Sequence, residues 1–335
     1  MTKETKHTKE DLKIMQSWDL ERKIRVTQTR IIEWYRRFNG QVYVSFSGGK
    51  DSTVLLDLAR RCFPDIEAVF VDTGLEYPEI RQFVKSYDNL TIIRPEIRFD
   101  EVIRKYGYPL ISKEVSKKIQ EYRSKPDGYT NLVFNPNSEK IKRYGARYDL
   151  SKWIPLRDSD IPVSDKCCNV MKKATASKFE KTSGKKCIVA TLAEESNLRK
   201  TDWLRNGCNA FAGKRPMSKP MSFWTEQDVL EYIHRFNIKI APPYGDVVLT
   251  KDGKYKTTLC DRTGCIFCAF GCHTEKDTTR FQRLKETHPR QYEYCINGGE
   301  YDEQGRWIPN KEGLGMGRVF DKLNSLYGDD FIRYR

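Results

Sequence analysis

The chain has 335 residues, with 60 Lys and Arg against 46 Asp and Glu, a formal net charge of +14 and a mean hydropathy of -0.70. That length holds one large domain with an appended element or two modest ones, and no run approaches the roughly 20 apolar residues of a bilayer span, which excludes a helical membrane protein. Ten cysteines accompany an opening stretch, MTKETKHTKEDLK, that lacks the apolar centre of an export signal, so the expectation is a soluble cytoplasmic protein whose clustered thiols bind metal rather than form disulfides.

Taken in chain order, residues 9–38 space Leu12, Ile14, Met15, Trp18, Leu20, Ile24, Ile31 and Trp34 at helical intervals, which predicts one or two leading helices packed on the adjoining domain. From Gln41 the pattern changes to short apolar runs, Gln41 to Phe46, Ala68 to Val71, Thr91 to Ile93 and Cys187 to Leu192, separated by helical segments such as Ser52 to Cys62. Alternation of this kind argues for a mostly parallel sheet with helices on both faces, a Rossmann-like α/β class. Residues 124–153 are rich in Pro, Gly, Asn and Lys and read as an irregular basic insertion. Thr225 caps a predicted helix bearing Val229, Leu230, Ile233 and Phe236, and a closing helix carries Phe320, Leu323, Leu326 and Tyr327.

The sharpest local signal is Ser45-Phe46-Ser47-Gly48-Gly49-Lys50-Asp51-Ser52-Thr53, set between a strand and a helix. Two glycines let the backbone turn tightly and aim its amides at an anion, the helix N-terminus adds its dipole, Ser47 and Ser52 add hydroxyls, and Lys50 adds a charge. It lacks the spacing of a Walker A loop. The same residues could also form a purely structural capped turn.

SGGKDS closely resembles the PP-loop of the ATP pyrophosphatases, the adenine nucleotide alpha hydrolases. Three further stretches are similar to the phosphoadenylyl sulfate reductase family within that superfamily. Asp72-Thr73-Gly74 looks like its DTG, at a strand's carboxyl end where open α/β sheets bind ligands. Glu195-Ser196-Asn197-Leu198-Arg199 looks like its ES-x-x-R element, although Leu192 stands where the family usually has Arg. Pro220 to Ile233, with Trp224-Thr225 and Asp228-Val229, looks like its W-T-x-x-D-V stretch. The resemblance implies that Ser45, Ser47, Gly48, Gly49, Lys50, Asp51, Ser52, Asp72, Thr73, Gly74, Ser196 and Arg199 hold ATP, or adenylyl sulfate or its 3′-phosphate. Lys50, Asp51, Asp72 and Arg199 would then act in catalysis, and Asp51 or Asp72 would carry Mg²⁺. The domain expectation is a helical segment over 1–40, a nucleotide-binding α/β domain over 41–240 with the basic insertion near 113–153, and a cysteine-rich, C-terminal helical region over 241–335.

Cys167-Cys168 and Cys265-Ile266-Phe267-Cys268 pair soft ligands suited to iron–sulfur or zinc. The resemblance assigns Cys167, Cys168, Cys265 and Cys268 to a [4Fe-4S] cluster. Cys260, Cys265, Cys268 and Cys272 form a rival local set, iron–sulfur or zinc. Cys62 and Cys187 read as buried small hydrophobes, while Cys208 and Cys295 stay unassigned. The reductases' C-terminal E-C-G-L-H nucleophile motif does not occur in the sequence, and Cys295 is the nearest substitute. The chain is closest in type to relatives that keep the PP-loop and the cysteines but lack that nucleophile, the DNA phosphorothioation and tRNA thiolation enzymes, and this resemblance implies adenylation of an acceptor, DNA or tRNA, followed by sulfur transfer with help from the cluster. A cysteine desulfurase would be the sulfur donor and a homodimer the assembly. A reductase with an atypical nucleophile and a non-catalytic nucleotide-sensing module are the alternatives.

Overall fold

The short apolar runs pair as strands. In the computed structural model, which describes residues 5–213 and 215–335, Val42–Ser45 (β1), Ala68–Val71 (β2), Leu90–Ile93 (β3), Lys186–Val189 (β4), Asn209–Ala210 (β5) and Met217–Ser218 (β6) form one sheet. Its order is β3-β2-β1-β4-β6-β5, and all pairs are parallel except β5 with β6. Residues 1–4 of the opening stretch lie outside the described residues. By contacts the chain divides into two compact units. One holds the stretch up to Asp72, Glu76–Arg94 and Thr175–Gly264, and the other holds Thr73–Leu75, Pro95–Ala174 and Cys265–Arg335.

In the first unit, period-two alternation sends Val42, Val44, Ala68, Phe70 and Ile188 to one face and Tyr43, Val69 and Cys187 to the other. Helices Leu20–Arg37, Lys50–Cys62, Pro78–Lys85 and Glu226–Arg235 cover the first face with Trp34, Leu55, Val84 and Val229 among others, and Phe179 of helix Thr175–Ser183 lies on the second. The mostly parallel α/β class with helices on both faces is the observed one.

The W-T-x-x-D-V stretch is a fastener in this unit. Trp224 Nε1 donates to Thr27 Oγ1 at 2.8 Å, and Asp228 accepts from the Thr225 amide at 2.6 Å and hydroxyl at 2.7 Å, closing a capping box. Both Asp228 oxygens also lie 2.7 Å from Lys23 Nζ, whose residue is 1% exposed. The motif thus bolts helix Leu20–Arg37 to helix Glu226–Arg235. Deleting Lys23 alone would strand a buried carboxylate at a cost of about 3–5 kcal/mol.

In the second unit, Leu110–Ile111 pairs in parallel with Ala269–Phe270, and the Tyr108 hydroxyl donates to Leu314 O at 2.7 Å. The Arg123 guanidinium donates to the carbonyls of Leu156, Arg157, Ser159 and Ile161 and so ties down a segment without strands. Residues 124–153, expected to be irregular, wind into the helix Glu139–Tyr144 and the 3-10 turns Tyr129–Val133, Ala146–Tyr148 and Ser151–Trp153. The sequence composition misleads there because Val133, Phe134, Ile141 and Trp153 have a core to enter and Ser138 caps the helix. The closing helix is Met316–Tyr327, with Phe320 and Leu323 buried. No helix among the described residues is long and apolar enough to cross a membrane.

Candidate functional site

β1 ends at Ser45, whose Cα partners are Val69 on β2 and Val189 on β4. The chain runs outward from β1 to β2 and β3 on one side and returns to β4 on the other, so the turn after β1 lies at the point where strand order reverses. Gly48 adopts φ +74°, and a Cβ there would stand 2.7 Å from Val84 Cγ2 and 2.9 Å from Ile80 Cγ2. Only glycine meets both the backbone conformation and the close approach of helix Pro78–Lys85. Gly49 is the N-cap of helix Lys50–Cys62 and supplies no side-chain cap. Ser52 Oγ instead donates to Gly49 O at 2.9 Å and accepts the Ser47 amide at 3.2 Å, and Ser47 Oγ accepts the Gly49 amide at 3.3 Å. The amides of the helix's first turn have no intrahelical acceptor, which leaves N–H groups at a positive helix end.

Lys50 is 4% exposed, and its ammonium donates to Asp261 O and pairs with Glu226 Oε1, each at 2.8 Å, while lying 5.8 Å from the Tyr244 ring centre. Burial pushes the Asp51 carboxyl above its ordinary range against the pull of Lys50, Arg262 and Arg199, with Glu226 adding to the push. Arg199 and Arg262 both pair with Glu195, and Ser196 spends its hydroxyl as an N-cap, accepting the Arg199 amide at 3.3 Å. The structure therefore gathers Lys50, Asp51 and Arg199 around the turn. Asp72 follows β2 at the same edge of the sheet, and its Oδ2 accepts from Arg81 at 3.0 Å and Arg94 at 3.3 Å. Thr73 and Gly74 come next in the chain and belong to the second unit; Thr73 Oγ1 accepts the Leu75 amide at 3.2 Å, and Gly74 takes φ +75° with open space beside it.

The second unit holds the four expected cysteines together. Cys167, Cys168, Cys265 and Cys268 line one cavity with Leu75, Phe99, Pro109, Met171 and Lys172. The Cys167 and Cys168 sulfurs are 4.0 Å apart, and Cys268 N donates to Cys265 O at 3.1 Å in the turn that presents both side chains. Contact with Cys167, then the charges of Lys113 and Lys172, pulls the Cys168 thiol down to about 5, whereas Cys167 keeps its proton and burial raises Cys268. Lys113 is delivered by Ile111, a β-branched residue at φ +63° two positions earlier, which is the kind of strained backbone that persists where its surroundings over-determine it. Cys272 points elsewhere: its thiol donates to Ala269 O at 3.0 Å and burial pushes it up to about 12. Among the described residues no group of three or more His, Cys, Asp or Glu side chains is arranged to hold a metal ion. Cys187, Cys208 and Cys295 are buried, and Cys62, expected to be buried, is only half-buried.

Residues 41–126 match the phosphoadenosine phosphosulfate reductase domain, a span that contains the glycine turn and Asp72. Adenosine 5′-phosphosulfate reductases are similar in sequence. That of Geobacillus kaustophilus is 31% identical over 26% of this chain and 40% of its own length, and that of Anoxybacillus flavithermus is 24% identical over 78% and 90%. Residues 41–126 of the chain thus form a stretch like the phosphoadenosine phosphosulfate reductase domain. An uncharacterized protein of Methanocaldococcus jannaschii is 33% identical over 39% of the chain and 30% of its own length, so the chain spans less than half of several of the relatives it matches.

Sequence reasoning overlooks the residues that hold the site in place. Glu226, Asp261, Arg262 and Tyr244 surround Lys50 and Asp51 from positions about 175 to 210 residues downstream. Glu226, the first residue of a capped helix, reads as an acid placed for the helix dipole, which hides its pairing with Lys50. Arg262 lies beside Cys260 and is masked by the cysteine pattern. Lys113 carries no motif of its own.

Proposed function

We propose that the chain binds an adenine nucleotide with its phosphates on the turn from Ser47 to Ser52 and uses it to activate an acceptor for sulfur transfer. The observation that carries this reading is the turn itself, a glycine-tight set of amides at a helix N-terminus, at the strand-order reversal of a parallel sheet. With ATP bound, an acceptor oxygen attacks the α-phosphorus, the α,β bond breaks and pyrophosphate leaves. A sulfur nucleophile then displaces AMP. Charge develops on the departing pyrophosphate, and fixed amides together with a nearby cation are the groups that stabilise it. Lys50 is that cation once phosphate competes Glu226 away, with Arg199 and Arg262 as nearby reserves.

Magnesium fits this site poorly in its present form, because two guanidinium groups neutralise Asp72 and burial drives Asp51 toward its neutral acid. No step is therefore assigned to it. The four cysteines fit an iron–sulfur cluster by donor chemistry, being soft ligands that share one cavity beside Lys113 and Lys172. When bound, the cluster supplies sulfur or electron chemistry. The chain's own residues would supply the ligands, with Lys113 and Lys172 as the cations beside Cys168. The acceptor in this reading is DNA or tRNA, and the sulfur donor is a cysteine desulfurase.

The second reading, reduction of adenylyl sulfate, is favoured by what the relatives are called. It requires a nucleophilic cysteine, and Cys295 is a poor one: it is 0% exposed, its thiol lies 3.4 Å from Met316 Sδ, and burial raises it well above the usual range. Pyrophosphate release from ATP, measured with and without DNA or tRNA, tests the first reading. Release that rises with one of the acceptors and disappears in Lys50→Ala is the expected result. Thioredoxin-dependent sulfite formation without pyrophosphate would replace it with the second.

A further inference from the structure

The basic face of the second unit carries chemistry that the nucleotide and cysteine sites do not use. Between Lys140 and Arg147 stand four cations, Lys140, Lys142, Arg143 and Arg147, and no acid; Glu139, just before them, pairs with Lys142 at 3.0 Å. Crowding like charges this closely is unfavourable unless an anion arrives. Three tyrosines are interleaved with them. Lys140 Nζ sits 4.3 Å from the Tyr129 ring centre, Arg143 Cζ 5.4 Å from that of Tyr144, and Arg147 Cζ 4.7 Å from that of Tyr148.

Two of those rings face solvent. Tyr129 is 67% and Tyr144 52% exposed, placing both among the exposed large hydrophobic side chains of the described residues. They are not on a slack loop. Val133, Phe134 and Ile141 are buried directly beneath, Ser138 Oγ donates to Leu132 O at 2.6 Å, and the Leu150 amide returns to Val133 O at 2.7 Å. Tyr144 and Tyr148 meet edge to face, 5.9 Å between ring centres. A cation on a ring limits its rotation, so the surface presents pre-set aromatic rings, each with a cation seated over it.

We propose that this face binds an unpaired polynucleotide strand, with bases stacked on Tyr129 and Tyr144 and phosphates held by Lys140, Lys142, Arg143 and Arg147. Alternating ring faces and cations match the alternation of base and phosphate along a single strand. A duplex keeps its base faces covered and would use only the charges. An acidic protein would use the charges too, but has no repeating flat partner for the rings. The inference rests on the reading of the chain as an enzyme with a nucleic-acid acceptor, and it narrows that acceptor to one with unpaired bases.

Fluorescence anisotropy on the full chain tests it, with labelled mixed-sequence DNA and RNA single strands of roughly 16 nucleotides and the matching duplex. At about 50 mM salt the wild type should bind the single strands more tightly than the duplex. Tyr129→Ala with Tyr144→Ala should weaken single-strand binding about tenfold or more with the salt dependence kept, whereas the two Tyr→Phe changes should retain affinity. Lys140→Gln with Arg143→Gln and Arg147→Gln should flatten the salt slope by about 0.7 per lost contact. No single-strand binding by the wild type, full affinity in the double alanine variant, or tighter binding of duplex would each overturn the proposal. Calorimetry with ATP on the same samples separates the two readings. A protein that binds strand but not ATP sinks the nucleotide reading and leaves this face standing, and the reverse result sinks this face alone.

Discussion

The glycine turn and the cysteine cavity are built on opposite plans. The turn is eight consecutive residues, Ser45 to Ser52, whose working parts are backbone amides and whose key side chain is the missing one at Gly48. The cavity is assembled from side chains at positions 167–168 and 265–268, nearly a hundred residues apart, with Lys113 acting on Cys168 from a third segment. A site made of main chain is inscribed locally and tolerates almost no change in backbone shape. A site made of converging side chains depends on the fold for its geometry and should tolerate backbone change while failing on loss of any one ligand.

The largest effect is expected at the cavity. In protein purified without oxygen, Cys168→Ala or Cys265→Ala should abolish nearly all of the bound metal and its visible absorption, whereas Cys272→Ala, whose thiol is committed to Ala269 O, should keep both. Metal analysis also separates iron from zinc. Loss in Cys272→Ala equal to that in Cys168→Ala would reinstate the local cysteine set.

Next comes the turn. Gly48→Ala forces a Cβ to within 2.7 Å of Val84 Cγ2 in a left-handed conformation, and urea unfolding should show a loss of about 2–4 kcal/mol, the sum of backbone and overpacking costs. Gly74→Ala has the same sign of φ but open space, so it should lose only about 1–2 kcal/mol. Equal losses would mean that the close approach of helix Pro78–Lys85 contributes nothing.

The smallest effect concerns charge in the turn. The folded-state pKa of Asp51 is raised, chiefly by burial, so its neutral form suits the folded protein. Its contribution to stability is fully present below the ordinary aspartate pKa and is lost as pH rises through the raised value. Asp51→Asn should therefore be modestly more stable than wild type at pH 7, with the difference fading as the medium is acidified. A difference of opposite sign would show that Lys50 and the two arginines outweigh desolvation.

Much of the fold is legible in the sequence because the signals are local. The apolar run at β2 has the strand's observed bounds, those at β1 and β3 match to within a residue or two, and the helix after the glycine turn follows from its Leu and Val spacing and adjoining strands. Thr225 is recognisable as a cap, yet the companion role of Asp228 in gripping Lys23 is not, since no local pattern links positions so far apart. The helical nature of 124–153 is hidden because Asn, Gly and Pro punctuate its sequence while four buried apolar side chains decide its structure. At the candidate site, motif chemistry nominates Lys50, Asp51 and Arg199, which the fold gathers at the turn. The present partners cannot be read that way: Glu226 on Lys50, Arg81 and Arg94 on Asp72, and Glu195 on Arg199 and Arg262 are all products of tertiary packing.

The measurement closest to the central claim is titration calorimetry of intact, metal-replete protein with ATP and with adenylyl sulfate. Saturable heat is expected with at least one of them, weakened about tenfold or more in Lys50→Ala and strengthened severalfold in Glu226→Gln, which frees the ammonium from its carboxylate. Absence of heat with both nucleotides, or binding indifferent to Lys50 and Glu226, would contradict the assignment of the turn as the phosphate site.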